Sequence, residues 1–467
     1  MRYISTRGHA PALDFREVTL AGLAPDGGLY VPEAWPSFTP DRIAALAGLS
    51  YAETAVQVML PFIGDALAED ELRDLCEAAY GRFAHAAVTP LVQLDHDQWL
   101  LELFHGPTLA FKDVALQLLG LLFERFLTGT DRRLTIVGAT SGDTGSAAID
   151  AVAGRAGIDI FMLHPQGRVS DVQRRQMTTV LAPNVHNIAL RDASFDDAQA
   201  LVKAMFNDRP FAEAHGLSAV NSINWARLMA QVVYYFHAAV RLGAPQRRIA
   251  FSVPTGNFGD VFAGYVASRM GLPIERLVVA TNVNDILARA INAGDYSKGG
   301  VQQTATPSMD IQVSSKIERQ LFDAAGRDGS ALAQQMAGFE GSGTMRLTNR
   351  QRQEIAPLFT ATRVDGNDMA LAMRWACENA GQVIDPHTAI GLAAARALEV
   401  DLGGEVPVVS LATAHPAKFA DAVERATGVR PPLPARVGDL HDREERCALL
   451  PATYDAVSAY VAEHRTA

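Results

Sequence analysis

A lysine stands at position 112 in the run Phe104-His105-Gly106-Pro107-Thr108-Leu109-Ala110-Phe111-Lys112-Asp113-Val114-Ala115-Leu116. With the segment after Pro107 taken as a helix, the positions three, four and seven beyond the lysine are Ala115, Leu116 and Leu119, all apolar. That spacing puts Lys112 at the head of the buried stripe rather than on the solvated face. Burial disfavours the ammonium form and lowers the pKa of an amine. A neutral amine held in a pocket is what Schiff-base chemistry requires. The competing reading is a lysine whose stem covers apolar surface while its head reaches water beyond a helix end.

Two glycine-rich turns carry the rest of the candidate chemistry. Ala139-Thr140-Ser141-Gly142-Asp143-Thr144-Gly145 follows an apolar run and precedes a small-residue helix expected over 146–153. Hydroxyls and amides at such a helix start favour an anion such as a carboxylate. Gly138 and Gly142 lack the spacing of a nucleotide P-loop, and Asp143 stands where a cation would help. Asp143 can instead cap the helix or accept a hydrogen bond from a protonated ligand group. The second turn, Val253-Pro254-Thr255-Gly256-Asn257-Phe258-Gly259-Asp260, has the same strand–loop–helix setting. Its amides at 256–259 can converge on a phosphate, with no lysine or arginine in the loop to help. A buried amine and two such turns together suit an aldehyde cofactor with a phosphate, and pyridoxal 5'-phosphate fits that inventory.

The elements that must hold these groups alternate along the chain. Short apolar runs at 134–139, 158–163, 185–190, 249–253, 277–280 and 406–411 are separated by helical stretches, among them a long helix with Trp225 and Tyr234-Tyr235. Continuous apolar strands alternating with helices predict an α/β fold whose mainly parallel sheet is covered on both faces. Ligands are then expected beyond the carboxyl ends of strands. The first ~95 residues are mixed and turn-rich, with helices expected near 41–47 and 69–83.

Composition narrows the class further. The 467 residues, 48% hydrophobic and 20% charged, suit a folded globular protein rather than a disordered or fibrous one. Lys+Arg total 41 against Asp+Glu 52, a net charge of −11, which argues against a nucleic-acid partner and demands a locally basic site for any anionic substrate. Cys76, Cys377 and Cys447 are far apart, so no zinc site or disulfide framework is expected. No apolar run is long enough to span a membrane, and the first residues lack the apolar core of a signal peptide, so a cytoplasmic location is expected.

Longer runs carry a resemblance. They are Tyr3-Ile4-Ser5-Thr6-Arg7-Gly8, Gly22-Leu23-Ala24-Pro25-Asp26-Gly27-Gly28-Leu29-Tyr30-Val31-Pro32, the Lys112 segment, the 139–145 and 253–260 turns, a Ser-Ile-Asn-Trp-Ala-Arg helix over 221–236, Pro307-Ser308-Met309-Asp310 and Thr413-Ala414-His415-Pro416-Ala417-Lys418-Phe419. With these the chain resembles, nearly end to end, the bacterial and fungal branch of the threonine synthase family, within the tryptophan synthase β-like (fold type II) pyridoxal phosphate enzymes. The resemblance implies two parallel-sheet subdomains plus an N-terminal domain: 1–95 as the N-terminal domain, 96–430 as the catalytic core with a smaller subdomain at about 130–235, and 431–467 as a C-terminal segment. It implies conversion of O-phospho-L-homoserine and water to L-threonine and phosphate, by a monomer or homodimer.

The resemblance also implies roles. Lys112 looks like the Schiff-base lysine that then moves protons. Gly256, Asn257, Phe258 and Gly259 look like the cradle for the cofactor phosphate. Ser141, Gly142 and Thr144 look like the substrate-carboxylate loop. Asp143 stands where related enzymes often carry an asparagine that contacts the cofactor's ring hydroxyl, and Thr413 looks like the hydroxyl that meets its pyridine nitrogen. For the substrate phosphate, Arg168, Arg174, Arg175 and Arg227 are candidates, and His105, His387 and His415 are kept out of the catalytic set. One departure stands out: Lys316-Ile317 occupies a place where Asn-Phe is expected, and Lys316 is expected at the surface, as most lysines are. Two rivals share much of this pattern: another fold type II lyase such as threonine dehydratase, and a non-catalytic homologue that only binds phosphorylated ligands. A nucleotide-binding dehydrogenase fits least, because the chain has no GxGxxG followed by an acidic residue about 20 positions on.

Overall fold

The apolar runs pair into two sheets. The computed structural model describes residues 1–220, 223–402 and 404–466, so Asn221 and Ser222, the start of the expected helix motif, lie outside the described residues. The smaller sheet runs Ala448–Pro451, Val185–Arg191, Ile158–Pro165, Leu134–Ala139, Leu217–Ser218, with every neighbouring pair parallel. Its middle strand is buried at all eight positions, as a strand covered on both faces must be. The larger sheet runs Phe359–Arg363, Ile274–Thr281, Ile249–Pro254, Val408–Ala412, Gln98–Glu102, Leu91–Gln93. Only its last pair is antiparallel. Because Ile249–Pro254 and Val408–Ala412 are parallel neighbours, the loops after them leave the sheet side by side.

One helix, Trp225–Arg241, lies at the centre, buried at every position from Trp225 to Val240. It packs against Tyr51–Ile63, Lys112–Leu127 and Gly259–Arg269. Helix Tyr51–Ile63 was not expected, although Ser50 and Glu53 form a reciprocal capping box that marks its start. The helix after Pro107 begins only at Lys112, a correction to the assumed start. Residues Lys112 to Gly120 are all buried, so the apolar spacing after the lysine reflects burial on every side rather than a stripe. The expected helix at 146–153 instead runs Asp143–Val152, which puts Asp143 in its first turn.

The N-terminal residues are tied to this centre by aromatic packing. Strand Tyr3–Ser5 pairs antiparallel with Tyr30–Pro32. The Tyr3, Trp35 and Phe62 rings lie 5.8, 6.1 and 5.7 Å from the Trp225 ring, and the Tyr3 hydroxyl donates to the Phe62 carbonyl at 2.6 Å. Trp225 is fully buried, so truncating it removes contacts to all three at once. Trp225→Ala is expected to lower stability by about 3–5 kcal/mol. Urea unfolding followed by far-UV circular dichroism measures this, and a variant as stable as its parent would show that the N-terminal residues do not depend on that ring.

Candidate active site

The segment that carries Lys112 is fixed by the backbone on one side and by a carboxylate on the other. Ala110 and Ala414 form an antiparallel bridge. Phe111 N–H donates to the Thr413 carbonyl at 2.8 Å, and His415 N–H to the Leu109 carbonyl at 3.0 Å. Leu109 sits at φ 63°, a strained conformation for a branched side chain and one that collects at functional sites. Asp113 accepts from Thr108 N–H at 2.8 Å and from its hydroxyl at 2.7 Å. Thr413, at the carboxyl end of Val408–Ala412, is thereby bonded to Phe111, the residue next to Lys112.

Lys112 is buried, and its Nζ lies 3.5 Å from Asp143 Oδ2, across the gap between the two sheets. Asp143 does not cap its helix; Gly142 is the N-cap residue, at φ 132°. The Asp143 carboxylate instead pairs with Lys418 Nζ at 2.7 Å and accepts from Gln173 Nε2 at 2.8 Å, both on Oδ1. Lys418 has no exposed side-chain surface and also donates to the Thr108 carbonyl at 2.8 Å. Burial alone would raise the Asp143 carboxyl. Lys418 and Lys112 beside it, with the hydrogen bonds from Lys418 and Gln173, hold it well below the usual carboxylate range. Burial lowers the Lys112 amine; Asp143 opposes this, while Arg227 and Lys418 add to it. Neither Lys418 nor Gln173 was singled out from sequence.

Around Asp143, Ser141 and Thr144 are half-buried at the start of helix Asp143–Val152. Thr140 Oγ1 accepts from Gly142 N–H at 2.9 Å and Gly145 N–H at 2.8 Å, which sets the loop's shape. A Cβ on Gly142 would come within 2.5 Å of Gln173, so only glycine fits under that side chain.

The second turn leaves the neighbouring strand Ile249–Pro254. A Cβ on Gly256 would lie 2.6 Å from the Ser308 carbonyl oxygen, so the backbone of 308 closes over the loop. Phe258 is buried at φ 65° against the Phe359 ring, and helix Gly259–Arg269 begins after it. Asn257 is exposed. Asp260 in the first turn accepts from the Tyr234 hydroxyl and, at 3.0 Å, from that of Tyr235. Burial pushes its carboxyl up to about 6, against the opposing pull of those two hydroxyls, Lys112 and Arg227. Asp260 Oδ2 and Arg227 Nε are buried without a partner.

Of the four arginines weighed for phosphate, the structure brings Arg227 to the site: it is buried and within electrostatic range of Lys112. Arg174 and Arg175 are engaged by Asp171 and Glu445, and Arg168 is exposed. His105 Nε2 lies 2.7 Å from Glu102, and His387 Nδ1 2.9 Å from Asp385. Burial, with Arg436 and His105 nearby, lowers the His415 imidazole to about 4. The surface expectation for Lys316 is wrong: it is 5% exposed, because helix Ile317–Ala324 starts against the Gly256 loop rather than at the molecular surface.

These residues fit pyridoxal phosphate. A buried amine, a glycine turn with a helix start, and a buried guanidinium with an unpartnered N–H meet between two sheets. Family models match residues 2–80 (threonine synthase N terminus), 83–341 (pyridoxal-phosphate dependent enzyme) and 388–461 (threonine synthase, C-terminal). A threonine synthase of Pseudomonas aeruginosa is 53% identical over 99% of this chain and 98% of its own. The crystal structure of PLP bound threonine synthase from Brucella melitensis superposes with a TM-score of 0.96 at 52% identity, covering 100% of both chains. That of threonine synthase from Escherichia coli does so at 0.83 and 32%, again over 100% of both. The chain belongs to the threonine synthase family of fold type II pyridoxal-phosphate-dependent enzymes.

Proposed function

We propose that this protein is a pyridoxal-phosphate-dependent lyase that converts O-phospho-L-homoserine and water to L-threonine and phosphate. The observation that carries the reading is the Lys112 amine, buried 3.5 Å from Asp143 between the two sheets, in a chain that matches threonine synthases from end to end. Bound there, the cofactor supplies an aldehyde for the substrate amine and a ring that draws electrons from Cα.

The chain's own residues supply position and proton transfer. Lys112 is the group that bonds to the cofactor, and its freed amine takes the proton from substrate Cα and later returns it. Desolvation lowers the Lys112 amine and so favours its neutral form, which lets one side chain serve as base and acid. Ser141, Gly142 and Thr144 hold the substrate carboxylate at the start of helix Asp143–Val152. Gly256, Asn257, Phe258 and Gly259 hold the cofactor phosphate by backbone dipoles. Asp143, fixed by Lys418 and Gln173, would hold the cofactor through its ring hydroxyl. Thr413 would hold the pyridine nitrogen through its hydroxyl, which would support a weaker electron sink than a carboxylate. The buried cations Lys112, Arg227 and Lys418 offset the overall charge of −11 where a doubly anionic substrate must enter. The reading extends to a cytoplasmic enzyme, monomer or homodimer, whose three cysteines are free. No helix among the described residues is long and apolar enough to cross a membrane.

Four outcomes are expected. Borohydride reduction of the loaded protein should fix the cofactor to the Lys112 peptide in mass spectrometry; an adduct elsewhere refutes the assignment. Lys112→Ala should abolish phosphate release from O-phospho-L-homoserine. In the same assay the parent should yield threonine rather than 2-oxobutyrate, the product expected of a dehydratase. Lys418→Met removes a cation beside Lys112 and deprives Asp143 of a partner, and both changes favour the Lys112 ammonium. The pH midpoint for condensation of the cofactor-free protein with pyridoxal phosphate, followed by absorbance, should therefore move upward in that variant. A downward shift, or none, contradicts the role given to Lys418.

A further inference from the structure

The Gly256–Gly259 turn has no lysine or arginine of its own. A phosphate monoester carries roughly two negative charges at neutral pH. The chain brings cations to the turn from elsewhere. Ser314 Oγ donates to the Gly256 carbonyl at 2.9 Å, Ser315 Oγ to Asn257 Oδ1 at 3.3 Å, and Lys316 Nζ to Ser315 Oγ at 2.6 Å. The Lys316 ammonium is thus one hydroxyl away from the loop.

Its electrostatic setting is unusual. Among the described residues Lys112 and Lys418 form ion pairs with a carboxylate, and Lys316 forms none. The charged groups that act on it most are Arg227 and Arg319, both cationic. Burial first, then those two arginines, push its amine down to about 7. Arg319 is held by the Tyr30 and Ile223 carbonyls, whereas Arg227 Nε, also buried, has no partner. A buried cation without a counter-ion is costly, and a like charge acting on it adds to the cost. Arg227 has Asp260 within electrostatic range and donates to the Val220 carbonyl at 3.2 Å, so Lys316, beside the 256–259 turn, is the cation here left without an anion among the described residues.

We infer that Lys316, together with Arg227, binds a phosphate monoester group seated on the 256–259 turn. The inference rests on the function proposed above for its choice of ligand, which carries a phosphate either as the cofactor or as the substrate. It assigns to Lys316 a positive charge on that phosphate which the Asn-Phe pattern of the family resemblance would not supply, since asparagine is neutral.

The test uses cofactor-free parent, Lys316→Met, Lys316→Asn and Lys316→Arg, titrated by absorbance with pyridoxal phosphate and with pyridoxal. Lys316→Asn carries the residue the resemblance predicts and guards against a folding failure of Lys316→Met. If the cofactor phosphate is the ligand, both neutral variants should bind pyridoxal phosphate about tenfold more weakly or worse. Their affinity for pyridoxal should be unchanged, and Lys316→Arg should stay near the parent. If the substrate phosphate is the ligand, cofactor affinity should hold while the KM for O-phospho-L-homoserine rises about tenfold with kcat little altered. Cofactor affinity and KM both within twofold of the parent overturn the inference alone. A parent protein that binds no pyridoxal phosphate overturns the proposed function, and this inference with it.

Discussion

The Asp143 carboxylate joins the two halves of the site. It sits on the first turn of a helix from the smaller sheet, and both lysines it contacts come from segments fixed to the larger one. Placing one carboxylate among buried amines is costly unless the charges meet in good geometry. Here one oxygen takes Lys418 and Gln173, and the other faces Lys112. The arrangement orients the smaller sheet's loop toward the larger sheet's strand ends. It also leaves Lys112 the less firmly paired of the two lysines, 3.5 Å from the carboxylate against 2.7 Å for Lys418. The amine that must react is therefore the one the protein holds more loosely.

Strain and exclusion reinforce that arrangement. Leu109 and Phe258 both adopt positive φ, one before the reactive lysine and the other at the start of the helix that follows the glycine turn. Such conformations persist where the surroundings over-determine them, and both residues are fully packed. Gly142 and Gly256 have neighbours that leave no room for a side chain. The two turns are thus shaped by what lies against them as much as by glycine's freedom.

Much of this was legible in the sequence, and the misses have physical causes. Six strands could be read because each is an apolar run bounded by turn residues, whereas the more polar Gln98–Glu102 and Phe359–Arg363 could not. Leu217–Ser218, Leu91–Gln93 and Ala448–Pro451 could not, being only two to four residues long and not fully buried, so they carry no period. Lys112 was reached by a spacing argument that the structure corrects, since the first turns of its helix are covered all round. Lys418 and Gln173 gave no local signal, because their value lies in meeting an aspartate far away in the chain. Lys316 was misjudged on the exposure habit of lysine, whereas the packing of its helix against the glycine turn buries it.

The strand Ala448–Pro451 closes the smaller sheet by pairing with Val185–Arg191. During synthesis, then, the 185–191 edge emerges long before its neighbour is made. At about 5–20 residues per second the ribosome leaves that edge open for tens of seconds. An uncovered parallel edge invites pairing with other nascent chains. The smaller sheet can therefore reach its final form only once Pro451 has left the ribosome.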